Sequence, residues 1–464
     1  MKNLILPNIG EYQIIDDELI TADDVGNNYF VSDTDIGQYR CNVTAQQLNQ
    51  LNDQVKYNSI SQSAATYINN TLLHTDSSKL HNTVVIITQL FDQSSLLKCA
   101  DYCYSNNIPL INIVSVGLLS YARVQLRELC IVESHPTGTQ YDLYIHPSHS
   151  NHFIALHQYL HSYGDINDHN KYDAHQHAHI PYIVILHYYL QKYMNTHSQQ
   201  LPVTLVDRDE FKSMIRSGRW CNASGESDEA NFDEAIDNYI SIVNTPSIDP
   251  AVQQVLNDQQ AGNITSNSEN YWYCIRAIRD FIMNDTGSSH CLPVSNNIPD
   301  MHCTTNEYIH IKQLYAKQAH IDLQKITKRV HDLLMNNQRS TDDIPVQYIE
   351  YVVKNIRQVR VVRTRSISDE YQQLNIANIT ELLEEHNELI NSDISVELQP
   401  SNIDWYIALR VYCKFIDQHD YAPGSNDELC EHDYTVLCEM AQELFDHHQL
   451  KYSVIKETLH EMYV

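Results

Sequence analysis

Residues 12–31 read YQIIDDELITADDVGNNYFV. The apolar run from Tyr12 to Ile15 closes on Asp16 and Asp17, the pattern of a short buried strand that ends in a turn. In an α/β unit that holds a nucleotide, such a strand follows a glycine-rich turn and a helix whose first backbone N–H groups hold the phosphates. Only the eleven residues MKNLILPNIGE stand before it. They have room for the end of a helix and a connection, but not for a first strand and a phosphate loop. Neither GxGxxG nor GxxxxGK(S/T) occurs elsewhere in the chain. Asp16 stands at the strand end where a nucleotide site would place an acid on the ribose hydroxyls. Without a phosphate loop to orient a nucleotide, the simpler reading is a solvated strand-end acid.

Outward from this strand, alternation continues to about residue 150. A polar helix starts near Thr44, TVVIIT at 83–88 reads as a strand, a helix runs from Gln93 to about Ser105, and IPLINIV at 108–114 is a further strand. That is a parallel sheet with crossover helices. RELCIVESHP and TQYDLYIH (139–146) read as further strands at the sheet's other side. Beyond residue 150 helical periodicity takes over, in PYIVILHYYLQKYM with Pro181 suited to a first turn, in RDEFKSMIRSG, NFDEAIDNYISIV and NYWYCIRAIRDFIM, and then in the long run that starts at NEYIHIKQ. NITELLEEHNELI and WYIALRVYCKFIDQ complete the series. No repeat of fixed period is present, which disfavours a solenoid.

The 464 residues allow two to four domains. Fifty-nine acids against 30 bases leave a net charge of −29, which argues against a nucleic-acid groove and for protein or small-molecule partners. Eleven cysteines stand singly, without a CxxC pair, which fits a reducing cytoplasm or nucleus. No membrane span is expected. Cys130, Cys291 and Cys303 are the most loop-like of the thiols, and none has the flanking motif of a nucleophile.

Several tracts together carry a resemblance. KNLILPNIGEYQIIDDELITADDVGNNYF, HAHIPYIVILHYYLQKY, ANFDEAIDN, NNIPDM with Tyr308 soon after, and VRVVRTRSISDEY, in that order, resemble the regulatory subunits of neddylation-activating enzymes. These are ubiquitin-activating-enzyme-like proteins of the ThiF type. The resemblance implies a fold of α/β plus α class: an incomplete Rossmann-like adenylation domain over 1–148, a large α-helical domain over 149–440, and the start of a return to the adenylation sheet over 441–464. It also implies a first strand and closing elements beyond this chain, so a truncated form is expected, or else a genuinely shortened one.

The function the resemblance implies is that of a non-catalytic subunit in an obligate heterodimer that activates a ubiquitin-like modifier for transfer to cullins. ATP and Mg would sit on the catalytic subunit and none on this chain, and no catalytic or metal residue is assigned. An active half carries an Arg where this sequence reads Gly26-Asn27-Asn28-Tyr29-Phe30. Gly26, Asn27 and Asn28 are therefore candidates for a subunit contact, or for a turn in which Asn takes a positive φ.

The basic tract KNIRQVRVVRTR (354–365) adds Arg360, Arg363 and Arg365, read as salt-bridged arginines on a partly buried strand, or as contacts to the partner or the modifier. His175, His177 and His179 form HQHAH, whose alternate spacing suits metal ligands on a strand, but Pro181 places it in a helix lead-in. The alternatives are the smaller regulatory subunit of the sumoylation-activating enzyme, a helical scaffold with a degenerate α/β head, and a self-sufficient adenylating enzyme. The last would need the phosphate loop and the missing Arg.

Overall fold

The computed structural model describes residues 1–80, 82–88, 92–117, 119–135, 141, 143–221, 227, 229–287, 290–373, 402–425, 429–447 and 459. The chain forms two compact units, one of residues 1–129 with 362–464 and the other of residues 130–361.

In the first unit the short helix α1 (Lys2–Ile5) leads into β1 (Glu11–Ile15). Then follow α2 (Ala22–Asn27), α3 (Arg40–Asn49), β2 (Lys56–Ile60) and α4 (Ala64–Asn70). β1 and β2 pair in parallel from Glu11 opposite Lys56 to Ile15 opposite Ile60. A parallel pair needs a crossover, and α3 supplies it by burying Cys41, Val43, Ala45 and Leu48. Tyr12 fixes the packing, donating its hydroxyl to the Ala45 carbonyl at 2.9 Å.

A second parallel pair joins β3 (Val85–Ile87) to β4 (Leu110–Val116) across α5 (Gln93–Ser105). The Asp92 carboxylate caps α5 by accepting from Ser95 N at 2.7 Å. β5 (Leu119–Gln125) returns antiparallel to β4 and alternates half-buried with exposed residues, as a one-sided strand should. The expected sheet is thus present as two pieces, β1–β2 and β3–β4–β5.

The second unit is mostly helical. It contains β6 (Leu129–Val132), α6 (Ile154–Ser162), α7 (Ala174–His177), α8 (Tyr182–Thr196) and α9 (Leu205–Ser217). α10 (Ala230–Asp237), α11 (Ile240–Val243), α12 (Pro250–Leu256) and α13 (Gln259–Gly262) are shorter. α14 (Asn270–Asp285) runs through the core with Trp272, Tyr273, Ile278 and Phe281 buried. α15 (Thr305–Asn336) buries a single stripe, Ile311, Tyr315, Asp322, Ile326, Val330 and Leu334, at helical spacing. α16 (Val346–Lys354) and β7 (Val359–Val362) close the unit. The chain then adds α17 (Ile367–Gln372) to the first unit, followed by helices at Asn402–His419 and Cys430–His447.

Four expectations are corrected. RELCIVESHP yields β6, but β6 pairs with β7 rather than extending the α/β sheet. The described residues of TQYDLYIH form no strand, because Tyr144 sits at φ +53, a left-handed conformation that ends an extended run. Tyr144 is buried there, with its hydroxyl 3.0 Å from the carbonyls of both Leu292 and Pro293. NFDEAIDNYISIV is broken at Asn238, whose φ −102 and ψ 10 end α10 before α11 begins. Cys130 lies in β6 rather than in a loop. NITELLEEHNELI lies outside the described residues, as does nearly all of the C-terminal tract KETLHEMYV.

Compactness places the limits of the units at 129/130 and 361/362. These limits follow packing alone, and the functional limits at 148 and 440 are taken up below.

Candidate functional site

The carboxyl end of β1 is the place where a nucleotide-binding unit would hold a ribose. Asp16 is there, and its carboxylate is already engaged. Arg40, the first residue of α3, donates Nε to Asp16 Oδ2 at 2.7 Å and Nη2 to Asp16 Oδ1 at 3.2 Å. The backbone N–H of Glu18 donates to Oδ1 at 3.1 Å. The other side of the same guanidinium donates Nη1 to Asp24 Oδ1 at 2.9 Å.

Asp24 is held in turn by the turn that precedes α2. Its Oδ2 accepts from Thr21 N at 2.8 Å and from Thr21 Oγ1 at 2.9 Å, one half of a capping box. The Thr21 backbone N–H, and after it Arg40, hold the Asp24 carboxyl below the usual carboxylate range. The bond to Asp16 raises the affinity of Arg40 for its proton. The strand end is therefore a closed carboxylate–guanidinium–carboxylate clamp. Asp16 is neither a ribose acceptor nor a freely solvated acid, since its side chain is 15% exposed and spent on Arg40. Three of the four acceptor positions of this carboxylate are thereby taken, which leaves one for the two hydroxyls that a ribose presents, a poor fit to a bound nucleotide.

Gly26 and Asn27 lie in α2, and Asn28 caps it at φ −112. The expected positive-φ asparagine turn is thus absent at Asn28. Asn28 instead accepts from Phe30 N at 3.0 Å and places its amide 3.4 Å from Thr44 Oγ1. Asn27 donates to the Asp23 carbonyl at 3.0 Å. Nothing lies within 4 Å of a Cβ built on Gly26.

The basic tract forms β7 and its flanks. In the helical unit, Arg360 reaches Asp249 at 3.8 Å with its side chain 42% exposed. In the α/β unit, Arg363 pairs with Glu128 at 2.6 Å, and Arg365 donates to the carbonyls of Asp369 at 3.1 Å and Gln373 at 2.7 Å. Each of the three arginines has acceptors of its own within its unit.

The HQHAH histidines separate by role. His177 is fully buried, 2.5 Å from Glu229 through Nδ1 and stacked on Trp220 at 4.0 Å with a 4° tilt. Glu229 also accepts from Trp220 N at 2.8 Å. His175 and His179 stack on one another outside, with His179 Nδ1 2.7 Å from the His175 carbonyl. His177 is a latch between α7 and α10.

Among the candidate cysteines, Cys291 is buried, and burial pushes the Cys303 thiol up to about 11, away from a thiolate.

Arg40 and Glu229 escaped the sequence reading. No local pattern marks a partner 24 residues away, as Asp16 is from Arg40, or 52, as His177 is from Glu229. Only Asp24 carried a signal, the Thr21-x-x-Asp24 spacing of a cap.

No protein-family model matches the chain. It is 31% identical to the NEDD8-activating enzyme E1 regulatory subunit of Gallus gallus over 462 residues, which are 99% of this chain and 82% of that protein. It is 30% identical to the protein of the same name from Danio rerio, over 99% of this chain and 82% of that one. It is 29% identical to the NEDD8-activating enzyme E1 regulatory subunit AXR1 of Arabidopsis thaliana, over 100% of this chain and 80% of that one. A solved structure of E. coli MccB is 18% identical over 26% of this chain and 32% of its own, with a TM-score of 0.19, a likeness too small to assign the fold.

Proposed function

The chain belongs to the NEDD8-activating enzyme E1 regulatory subunits, and on that premise we propose that it is the non-catalytic half of a heterodimer that activates the ubiquitin-like modifier with ATP for transfer to cullins. The clamp at the end of β1 is the observation that carries the non-catalytic part of this reading. Where a working adenylation half offers an acid to the nucleotide, this chain turns Asp16 inward onto Arg40. Mg-ATP and the thioester cysteine then belong to the catalytic subunit, where adenylation turns a poor leaving oxygen of the modifier's carboxylate into a good one.

In this reading residues 1–148 are an incomplete adenylation-like domain, residues 149–440 a helical domain without a catalytic cysteine, and residues 441–464 the start of the return to the sheet. The two parallel β–α–β pieces of the first unit support the first assignment. Gly26, Asn27, Asn28, Arg360, Arg363 and Arg365 remain the candidates for contact with the catalytic subunit or the modifier. A cytoplasmic or nuclear setting accords with the free cysteines. Among the described residues no helix is long and apolar enough to cross a membrane. The sumoylation alternative is disfavoured by identity of about 30% to neddylation subunits over nearly the whole chain.

The test is modifier-dependent pyrophosphate exchange. The purified chain alone should show none, and exchange should appear when the catalytic subunit is added and co-purifies with it. Exchange by the chain alone, or failure of the two to associate, overturns the reading.

A further inference from the structure

α15 buries one stripe and leaves another bare. The bare stripe runs Lys317, His320, Gln324, Lys328, His331 and Met335, spaced three and four residues apart and so aligned on one face. Lys312, Lys317, Lys325 and Lys328 are all exposed, and none of them forms an ion pair among the described residues. From Lys312 to His331 every acid on the helix is buried, and Asp332 is the first exposed one. Against the 59 acids and 30 bases of the chain, the exposed charges of α15 from Lys312 to His331 are positive, with Asp332 as their acidic neighbour at the groove.

The same face borders an open groove of about 520 Å³ whose lining includes Leu323 and Met335 of α15 and Val346 of α16. Met335 is 57% exposed and Val346 46%. Met335 and Val346 thus offer an apolar floor beside Lys328, the two kinds of contact that a mixed acidic and apolar segment would use.

We infer that this face of α15 docks a segment of a partner protein in which acidic residues alternate with large apolar ones. The carboxylates meet Lys317, Lys328 and the imidazoles, and the apolar side chains enter the groove beside Met335 and Val346. Charge complementarity selects this occupant. A nucleic acid would also meet the lysines, but its evenly spaced phosphates have no use for an apolar floor, and the −29 charge of the chain repels a long polyanion. Opposed charges at the rim chiefly speed the encounter, and the apolar anchors chiefly slow release.

The probe is a fluorescein-labelled peptide alternating glutamate with leucine and phenylalanine, titrated with the full chain and followed by anisotropy. K317E combined with K328E should weaken binding roughly tenfold, and M335D by a similar factor. K312E, on the same helix but off the stripe, should leave binding unchanged. All four positions are exposed, and unchanged circular dichroism confirms that each variant is folded. The inference fails if the wild-type chain does not bind the peptide, if a peptide with glutamine for glutamate binds equally, or if K312E weakens binding as much as the stripe variants. It fails also if a single-stranded oligonucleotide binds as tightly.

Discussion

The α/β unit and the helical unit are built on different scales. Among the described residues, the first divides its buried apolar side chains into four small clusters, such as Ile5, Tyr12, Ala45, Leu48 and Val55 around β1, and Ile20, Val31 and Val43 beside it. The second gathers them into two large ones, one around α8 and the other around α14. Each unit also buries a carboxylate, and in the first it is Asp433, which accepts from Tyr421 at 2.7 Å and Gly424 N at 3.0 Å. The α/β unit keeps its main clamp, Arg40 with Asp16 and Asp24, partly in water. The helical unit buries Asp322 completely and satisfies it with Val294 N at 3.0 Å, Gln318 at 2.8 Å and His152 at 3.1 Å. A buried carboxylate is tolerable only with such partners. Among the described residues the difference therefore lies in the size of the apolar clusters, large in the helical unit and small in the α/β unit.

Deleting a large side chain from each unit would break this contrast if both lost equally. Trp272→Ala, in the large cluster around α14, should cost about 3–5 kcal/mol, and Ile5→Ala, in a five-residue cluster, about 2 kcal/mol. Urea unfolding with hydrogen exchange read separately for each unit measures both values.

Acid should act on the helical unit next. His187 of α8 is pushed down to about 3, first by burial and then by His161 and His157. An unfolded histidine takes up its proton near pH 6.5, so the unfolded chain gains a proton that the folded one refuses. The stability from the neutral ring is complete above about pH 6.5 and is lost as pH falls toward 3. Between pH 7 and pH 5 the helical unit should lose about 2 kcal/mol through this group. His187→Phe should flatten that slope in the urea midpoint, and an unchanged slope would remove His187 as its source.

The smallest effect is expected at the clamp. Arg40→Ala breaks a partly exposed network and should cost about 1 kcal/mol. It should confer no ATP binding by calorimetry, since the sequence holds neither GxGxxG nor GxxxxGK(S/T) to cradle phosphates. Tight ATP binding by the variant would mean that Arg40 masks a working site.

The parts of the fold legible in the sequence were those decided locally. The helix expected from Gln93 to about Ser105 is α5, and the apolar run after Pro181 is α8. The strand expected over 139–146 failed because the backbone of Tyr144 is set by distant carbonyls rather than by its neighbours. The site was less legible for the same reason. Asp16 could be placed at a strand end from its sequence, but what its carboxylate touches depends on Arg40, brought there by the crossover of α3. The stacking of His177 on Trp220 likewise joins residues 43 positions apart.

Tyr144 has a consequence for how the protein is made. Its hydroxyl lies at the carbonyls of Leu292 and Pro293 and 3.2 Å from Arg357, and its own carbonyl is 3.0 Å from His157 Nε2. These contacts span up to 213 residues of chain. On a ribosome adding about 5–20 residues per second, Tyr144 waits on the order of ten seconds or more for Arg357 to be synthesised. Through that interval the α6–α8 segment carries bulky apolar side chains with part of their burial still to come, a nascent chain that chaperones would have reason to shield.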